Sequence, residues 1–152
     1  MITTHAHAVT SLSAERFRAG LTNFTDLEQR LRDFSTLSAD VLKVHELGDT
    51  FATVTEGTSI AGGVWEKLRY DWSDLAAVTL TTLESNIFEP AGYWRYATST
   101  VANGKTRIDL TVRHVPKTIK GKFFAVILTL GGAPFLTADL KKTLRRLEAR
   151  YS

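Results

Sequence analysis

The sequence predicts an α+β fold: a first strand, two short helices, an antiparallel run of about six strands and a long closing helix. Three observations predict it. Apolar residues near the N-terminus recur at helical spacing. They alternate at strand spacing through the middle of the chain. Near the C-terminus leucines form one stripe opposed by basic residues.

Thr3–Thr10 alternates weakly and is the first predicted strand. Ser13 can cap a helix, with Glu15 favourably placed in its first turn. Phe17, Leu21 and Phe24 then share a helical face. Thr25 and Glu28 have capping-box spacing, and Leu27, Leu31 and Phe34 line the second short helix. Val41–Leu47 and Phe51–Glu56 flank Gly48-Asp49, which predicts a hairpin. Gly62–Trp72 puts Val64, Glu66, Leu68, Tyr70 and Trp72 on one face, with Trp65, Lys67, Arg69 and Asp71 on the other. Ala76–Glu84 is the next strand, with poor alternation after Leu80, and Pro90 and Gly92 then interrupt regular structure.

The last hairpin, Gly92–Ala102 with Lys105–Pro116, can be read in register. A two-residue Asn103-Gly104 turn pairs Trp94 with Arg113 and mixes aromatics with charge. A three-residue loop, Ala102-Asn103-Gly104, pairs Trp94 with Val112, Tyr96 with Leu110 and Thr98 with Ile108. Its other face pairs Arg95 with Thr111, Ala97 with Asp109 and Ser99 with Arg107. Only the second register separates apolar from polar, as a half-buried sheet requires. It also sets His114 inward, opposite Gly92. Phe123–Leu136 carries no charge and is long enough to favour helix over strand. Leu136, Leu140, Leu144, Leu147 and Tyr151 form the final stripe, opposed by Lys141, Lys142, Arg145 and Arg146. Gly131-Gly132 and Pro134 predict a kink or two consecutive helices.

Length and composition bound the function. A chain of 152 residues suits one domain, residues 1–152, with a real core. It has no cysteine, which excludes disulfides, thiolate metal sites and cysteine nucleophiles. No run reaches the roughly 18 apolar residues of a membrane span, and the N-terminus does not resemble a secretory signal, so a cytoplasmic protein is expected. Charge is unevenly spread: residues 1–104 are net −5, residues 105–152 net +8. That basic part is read first as a solvated helix face, and no nucleic-acid partner is expected. An interaction module using this face is a further reading, with salt-dependent binding as its signature. The uncharged Phe123–Leu136 run beside Lys117, Lys120 and Lys122 has two readings: burial against the sheet, and transient docking on anionic membrane.

Four stretches carry a family likeness: Ala8–Phe17, Gly92-Tyr-Trp-Arg-Tyr96, Asn103–Ile108, and Val115-Pro116 with Ile119–Phe123. Together with the element order they resemble the START-like (SRPBCC) superfamily, in particular its polyketide cyclase/dehydrase and lipid-transport family. The Trp-Pro pair many members show in the second helix is missing, with Phe34 the nearest substitute. The resemblance implies a helix-grip fold, a curved sheet of six or seven strands wrapped around the long C-terminal helix. It also implies an apolar ligand held between them.

The ligand-lining set expected on that basis is Glu66, Leu68, Tyr70, Trp72, Trp94, Tyr96, Thr98, Leu110, Val112 and His114 from the sheet, with Phe124, Ile127 and Leu128 from the helix. A packed core would explain the same apolar residues. Glu66 is the anomaly, since a carboxylate on an apolar face must be hydrogen-bonded, protonated or near water. Two functions follow: binding of a hydrophobic small molecule (lipid, polyketide or isoprenoid-like), or a cyclase, aromatase or dehydratase using Glu66 and His114, with Tyr70 and Tyr96 helping to polarise a ligand oxygen. His5 and His7 share a strand face without a third ligand at useful spacing, so no metal or other cofactor is expected. The glycines of Gly57–Gly63 lack the Lys-Ser/Thr of a phosphate loop. No nucleophile elbow is present.

Overall fold

The computed structural model describes residues 1–34, 41–59, 63–123 and 132–151. Seven antiparallel strands form one sheet: β1 (Ile2–Thr10), β2 (Val41–Leu47), β3 (Phe51–Thr58), β4 (Val64–Asp71), β5 (Ala77–Ser85), β6 (Tyr93–Thr100) and β7 (Thr106–His114). Helices α1 (Ala14–Leu21) and α2 (Leu27–Asp33) follow β1, and α3 (Gly132–Tyr151) ends the described chain. The sheet order is β1-β7-β6-β5-β4-β3-β2, so hairpin connections carry the chain from β2 at one edge back across the sheet to β7, which pairs with β1 at the other edge. This is the helix-grip architecture that the family resemblance implies.

The three-residue register is the one formed. Trp94 lies opposite Val112, Tyr96 opposite Leu110 and Thr98 opposite Ile108. Asn103 and Gly104 take left-handed backbone angles, φ 65° and 71°, which close the loop. The poor alternation after Leu80 also has a physical cause. Leu68 pairs with Thr82 but Lys67 pairs with Glu84, so Leu83 is an extra residue on β5. Leu83 and Glu84 are both exposed, and Ser85 turns back inward.

Helix α3 buries Leu136, Leu140, Leu144 and Leu147 against the inward residues of the sheet, among them Ala6, Ala8, Val54, Leu68, Leu80 and Leu110. Lys141, Lys142 and Arg145 face solvent. Pro134 sits in the first turn, where its missing N–H costs nothing. Gly20 lets α1 approach α3, since a Cβ there would lie 3.0 Å from Leu147. Asp33, buried at the end of α2, binds Arg150 at 2.8 Å and ties α2 to α3.

Two local expectations are corrected. Thr25 is not the N-cap of α2. Asp26 is, accepting from the Gln29 backbone N–H at 3.1 Å, because Asn23 folds the preceding residues into a turn by accepting from Asp26 N and Thr25 Oγ1. Phe24 is buried but lies beyond the end of α1. Of the uncharged run, Phe123 and residues 132–136 are helical, and the segment between them lies outside the described residues, with Phe124, Ile127 and Leu128. Among the described residues, no helix is long and apolar enough to cross a membrane.

Candidate functional site: an apolar cavity with two anchored carboxylates

The sheet, α2 and α3 line a half-open cavity of about 200 Å³. Its apolar wall includes Leu68, Leu80, Trp94 and Leu110 from the sheet and Leu136 and Leu140 from α3. Two glutamates enter it side by side. Glu56 on β3 and Glu66 on β4 are direct cross-strand partners and point to the same face. Each is held by its own set of donors.

Glu66 is held by three successive strands. Its Oε1 meets His114 Nε2 at 2.8 Å and accepts from Thr82 Oγ1 at 3.0 Å, and its Oε2 faces Trp94 Nε1 at 3.4 Å. Thr82 is on β5, Trp94 on β6 and His114 on β7. His114 itself is buried, stacked on Phe88 with ring centroids 4.2 Å apart and edge-on to Trp94 at 5.6 Å. Its Nδ1 has no hydrogen-bond partner among the described residues. An unpartnered buried N–H is costlier than a bare ring lone pair, so the proton belongs on Nε2, which donates to Glu66. The long Trp94 contact leaves Oε2 the less satisfied oxygen. Gly92 makes room for this arrangement, because a Cβ there would lie 2.8 Å from Arg113 O and 3.1 Å from His114 Cδ2.

Glu56 is held from α2. The Tyr70 hydroxyl donates to Glu56 Oε1 and accepts from Arg30 Nη2 at 2.8 Å. Arg30 Nη2 is 3.6 Å from Glu56 Oε1, and Arg30 Nε donates to Leu21 O at 2.9 Å. The guanidinium lies over the Phe34 ring at 4.1 Å. Burial works against the Arg30 charge, yet Tyr70, Glu56 and Tyr96 together raise its pKa above the usual arginine value. Burial first, then Glu56, pushes the Tyr70 hydroxyl well above an ordinary tyrosine. Tyr96 is raised as well, by burial first and then by Glu56 and Asp139, with Arg30 opposing. Both phenols therefore stay protonated.

Of the residues expected to line a ligand, Glu66, Leu68, Tyr70, Trp94, Tyr96 and Leu110 lie on the cavity wall, as does Val64. The others are elsewhere. His114 sits behind Glu66. Val112 is buried in the core, and Thr98 bonds Ala76 O at 3.3 Å. Trp72 packs near Phe24 and donates to Asp49 O at 3.1 Å. Tyr70 serves Glu56 rather than joining Glu66 and His114. The sequence reading missed Arg30, Glu56, Asp139 and Thr143. Glu56 carried a signal, since strand parity from Ala52 and Val54 points it inward. Arg30 carried none, because arginine on a short helix is ordinarily solvated. His5 and His7 lie on the exposed face of β1, and His5 Nδ1 is 3.2 Å from Thr111 Oγ1. No metal-binding cluster of three His, Asp or Glu residues occurs among the described residues.

No protein-family model matches the chain, and no curated protein sequence does. Solved structures match over nearly its whole length. An aromatase/cyclase from Streptomyces sp. R1128 aligns with a TM-score of 0.75 at 17% identity, covering 99% of this chain and 95% of the other. A protein from Thermus thermophilus aligns with a TM-score of 0.76 at 16% identity, covering 99% of each. A START superfamily protein from Mycobacterium smegmatis aligns with a TM-score of 0.68 at 10% identity, over 97% and 99%. The chain therefore has the helix-grip fold that these structures share.

Proposed function

We propose that the chain, acting as one domain, binds a small, largely apolar molecule that presents hydrogen-bond donors to Glu56 and Glu66. The observation that carries this reading is the pair of neighbouring carboxylates opening into an apolar cavity of about 200 Å³. An apolar cavity of about 150 Å³ accommodates benzene, so this one suits a body of one or two rings rather than an extended acyl chain. The groups facing it accept more hydrogen bonds than they donate. A ligand carboxylate would meet the carboxyl groups of Glu56, Glu66 and Asp139, and Arg30, the one arginine or lysine among the described lining residues, is already committed to Glu56 and Tyr70.

The test is calorimetric titration with 1-naphthol and with 1-naphthoic acid. The expected result is binding of the naphthol and at least tenfold weaker binding of the acid. Leu140→Phe, which places extra volume at the cavity wall, should abolish naphthol binding while the variant still unfolds cooperatively. No heat and no tryptophan fluorescence change with naphthol would sink the reading.

The enzymatic alternative, a cyclase, aromatase or dehydratase using Glu66 and His114, has one observation in its favour: His114 orients a carboxylate that borders the cavity. Against it, the polar side chains divide into two clusters, Glu66 with Thr82, Trp94 and His114 and Glu56 with Tyr70 and Arg30, rather than one convergent acid–base site. Turnover of an added poly-β-ketone that Glu66→Gln abolishes would establish the enzyme.

A further inference from the structure

Three large apolar side chains stand exposed within nine residues: Val115 at 37%, Ile119 at 87% and Phe123 at 63%. Residues 119–123 are helical, and Lys122 N donates to Thr118 O at 2.9 Å. Ile119 and Phe123 are four apart and share a helix face. Gly121 lies on the opposite face and is buried, so near the protein that a Cβ would be 2.2 Å from Ile87 O. Thr118 Oγ1 caps the turn by accepting from Gly121 N at 2.9 Å. The chain leading into it is pinned as well. Lys117 N donates to Ile87 O at 3.0 Å, Glu89 N to Val115 O at 2.8 Å, and Pro116 bridges Phe88. A backbone anchored on one side thus presents apolar side chains on the other.

The charge around this face is basic. Residues 115–123 contain Lys117, Lys120 and Lys122 and no acid, although Glu89 lies alongside. Lys117 and Lys122 are exposed. Lys120 Nζ reaches Gly63 O at 2.9 Å, and Gly63 precedes Val64 and Trp65 of the cavity wall. Apolar side chains framed by lysines complement an interface of acyl chains and anionic headgroups.

We propose that residues 115–123 dock on an anionic membrane surface, with Ile119 and Phe123 entering the acyl boundary and Lys117 and Lys122 meeting the headgroups. The contact would set the β3–β4 end of the cavity beside the lipid, where an apolar ligand can pass without crossing water. The docking itself does not depend on the identity of the ligand.

The experiment is co-sedimentation of the full chain with phosphatidylcholine vesicles, with and without about one-third phosphatidylserine, at low and high salt. Binding to the serine-containing vesicles at low salt is expected, lost at high salt. Ile119→Ser, at a solvent-exposed position, should weaken it roughly tenfold. Lys117→Gln with Lys122→Gln should weaken it roughly 25-fold, at about fivefold per lysine. Circular dichroism and thermal melting check that these surface variants stay folded. Absence of binding at low salt overturns the proposal, as does binding that Ile119→Ser leaves unchanged. Equal loss on replacing the exposed Lys141 and Lys142 of α3 would also overturn it, by moving the contact to another face.

Discussion

The Tyr70 hydroxyl joins Arg30 to Glu56, so Tyr70→Phe tests the reading of this cluster directly. The substitution removes a hydrogen bond to a guanidinium and one to a carboxylate. Hydrogen bonds to charged groups are each worth about 1.5–3 kcal/mol. Arg30 and Glu56 already stand 3.6 Å apart and can close on each other, which recovers part of that. The expected net loss is about 2–3 kcal/mol at neutral pH. Urea titration reads it as a lower midpoint with unchanged slope. The alkaline limb supplies a second reading. The folded state raises the Tyr70 pKa, chiefly by burial and next by the Glu56 charge. The unfolded chain releases that proton near the ordinary value of about 10. Stability from this site is therefore whole below about pH 10 and declines above it by about 1.4 kcal/mol per pH unit. The phenylalanine variant lacks that decline, so the gap between the two proteins at neutral pH should have narrowed by about 1.4 kcal/mol at pH 11. A gap below about 0.5 kcal/mol at neutral pH, or one that stays constant through the alkaline limb, would refute the reasoning.

Other substitutions probe the second cluster and the scaffold. His114→Ala leaves Glu66 Oε1 with Thr82 alone and opens space between Phe88 and Trp94, so denaturant unfolding should show a loss of about 3–5 kcal/mol. Gly92→Ala forces a Cβ against Arg113 O and His114, and should cost about 1–3 kcal/mol with a shifted Trp94 indole resonance in NMR spectra. Asp33→Asn weakens the contact to Arg150, which is partly exposed, and a loss of about 1–2 kcal/mol should appear as a lower thermal midpoint.

The legible parts of the fold share one property: they are periodic. Leu136, Leu140, Leu144 and Leu147 declare their face by spacing alone. The β6–β7 pairing follows because a shift of one residue would set charged side chains among aromatics, and burial forbids it. Glu66 was recognisable as inward for the same reason. The segment after Leu80 resisted reading because the extra residue at Leu83 breaks parity, and a bulge has no strong sequence mark. The cap of α2 was misplaced by one residue because Thr25 and Asp26 can both accept from a helix N-terminus. The Asn23 turn decides between them.

The sequence by itself determined the order of the elements, which residues face inward, and that a carboxylate would stand among them. Local periodicity contains that much, because each strand or helix must show an apolar face to some core. Only the tertiary structure decided what each inward polar group meets. Arg30, Glu56 and Tyr70 come together from α2, β3 and β4, and Thr82, Trp94 and His114 reach Glu66 from three further strands. Burial of such groups is tolerable only when partners arrive from elsewhere in the chain. Those partners depend on strand order, the β5 bulge and the seating of α2, which residue spacing does not encode.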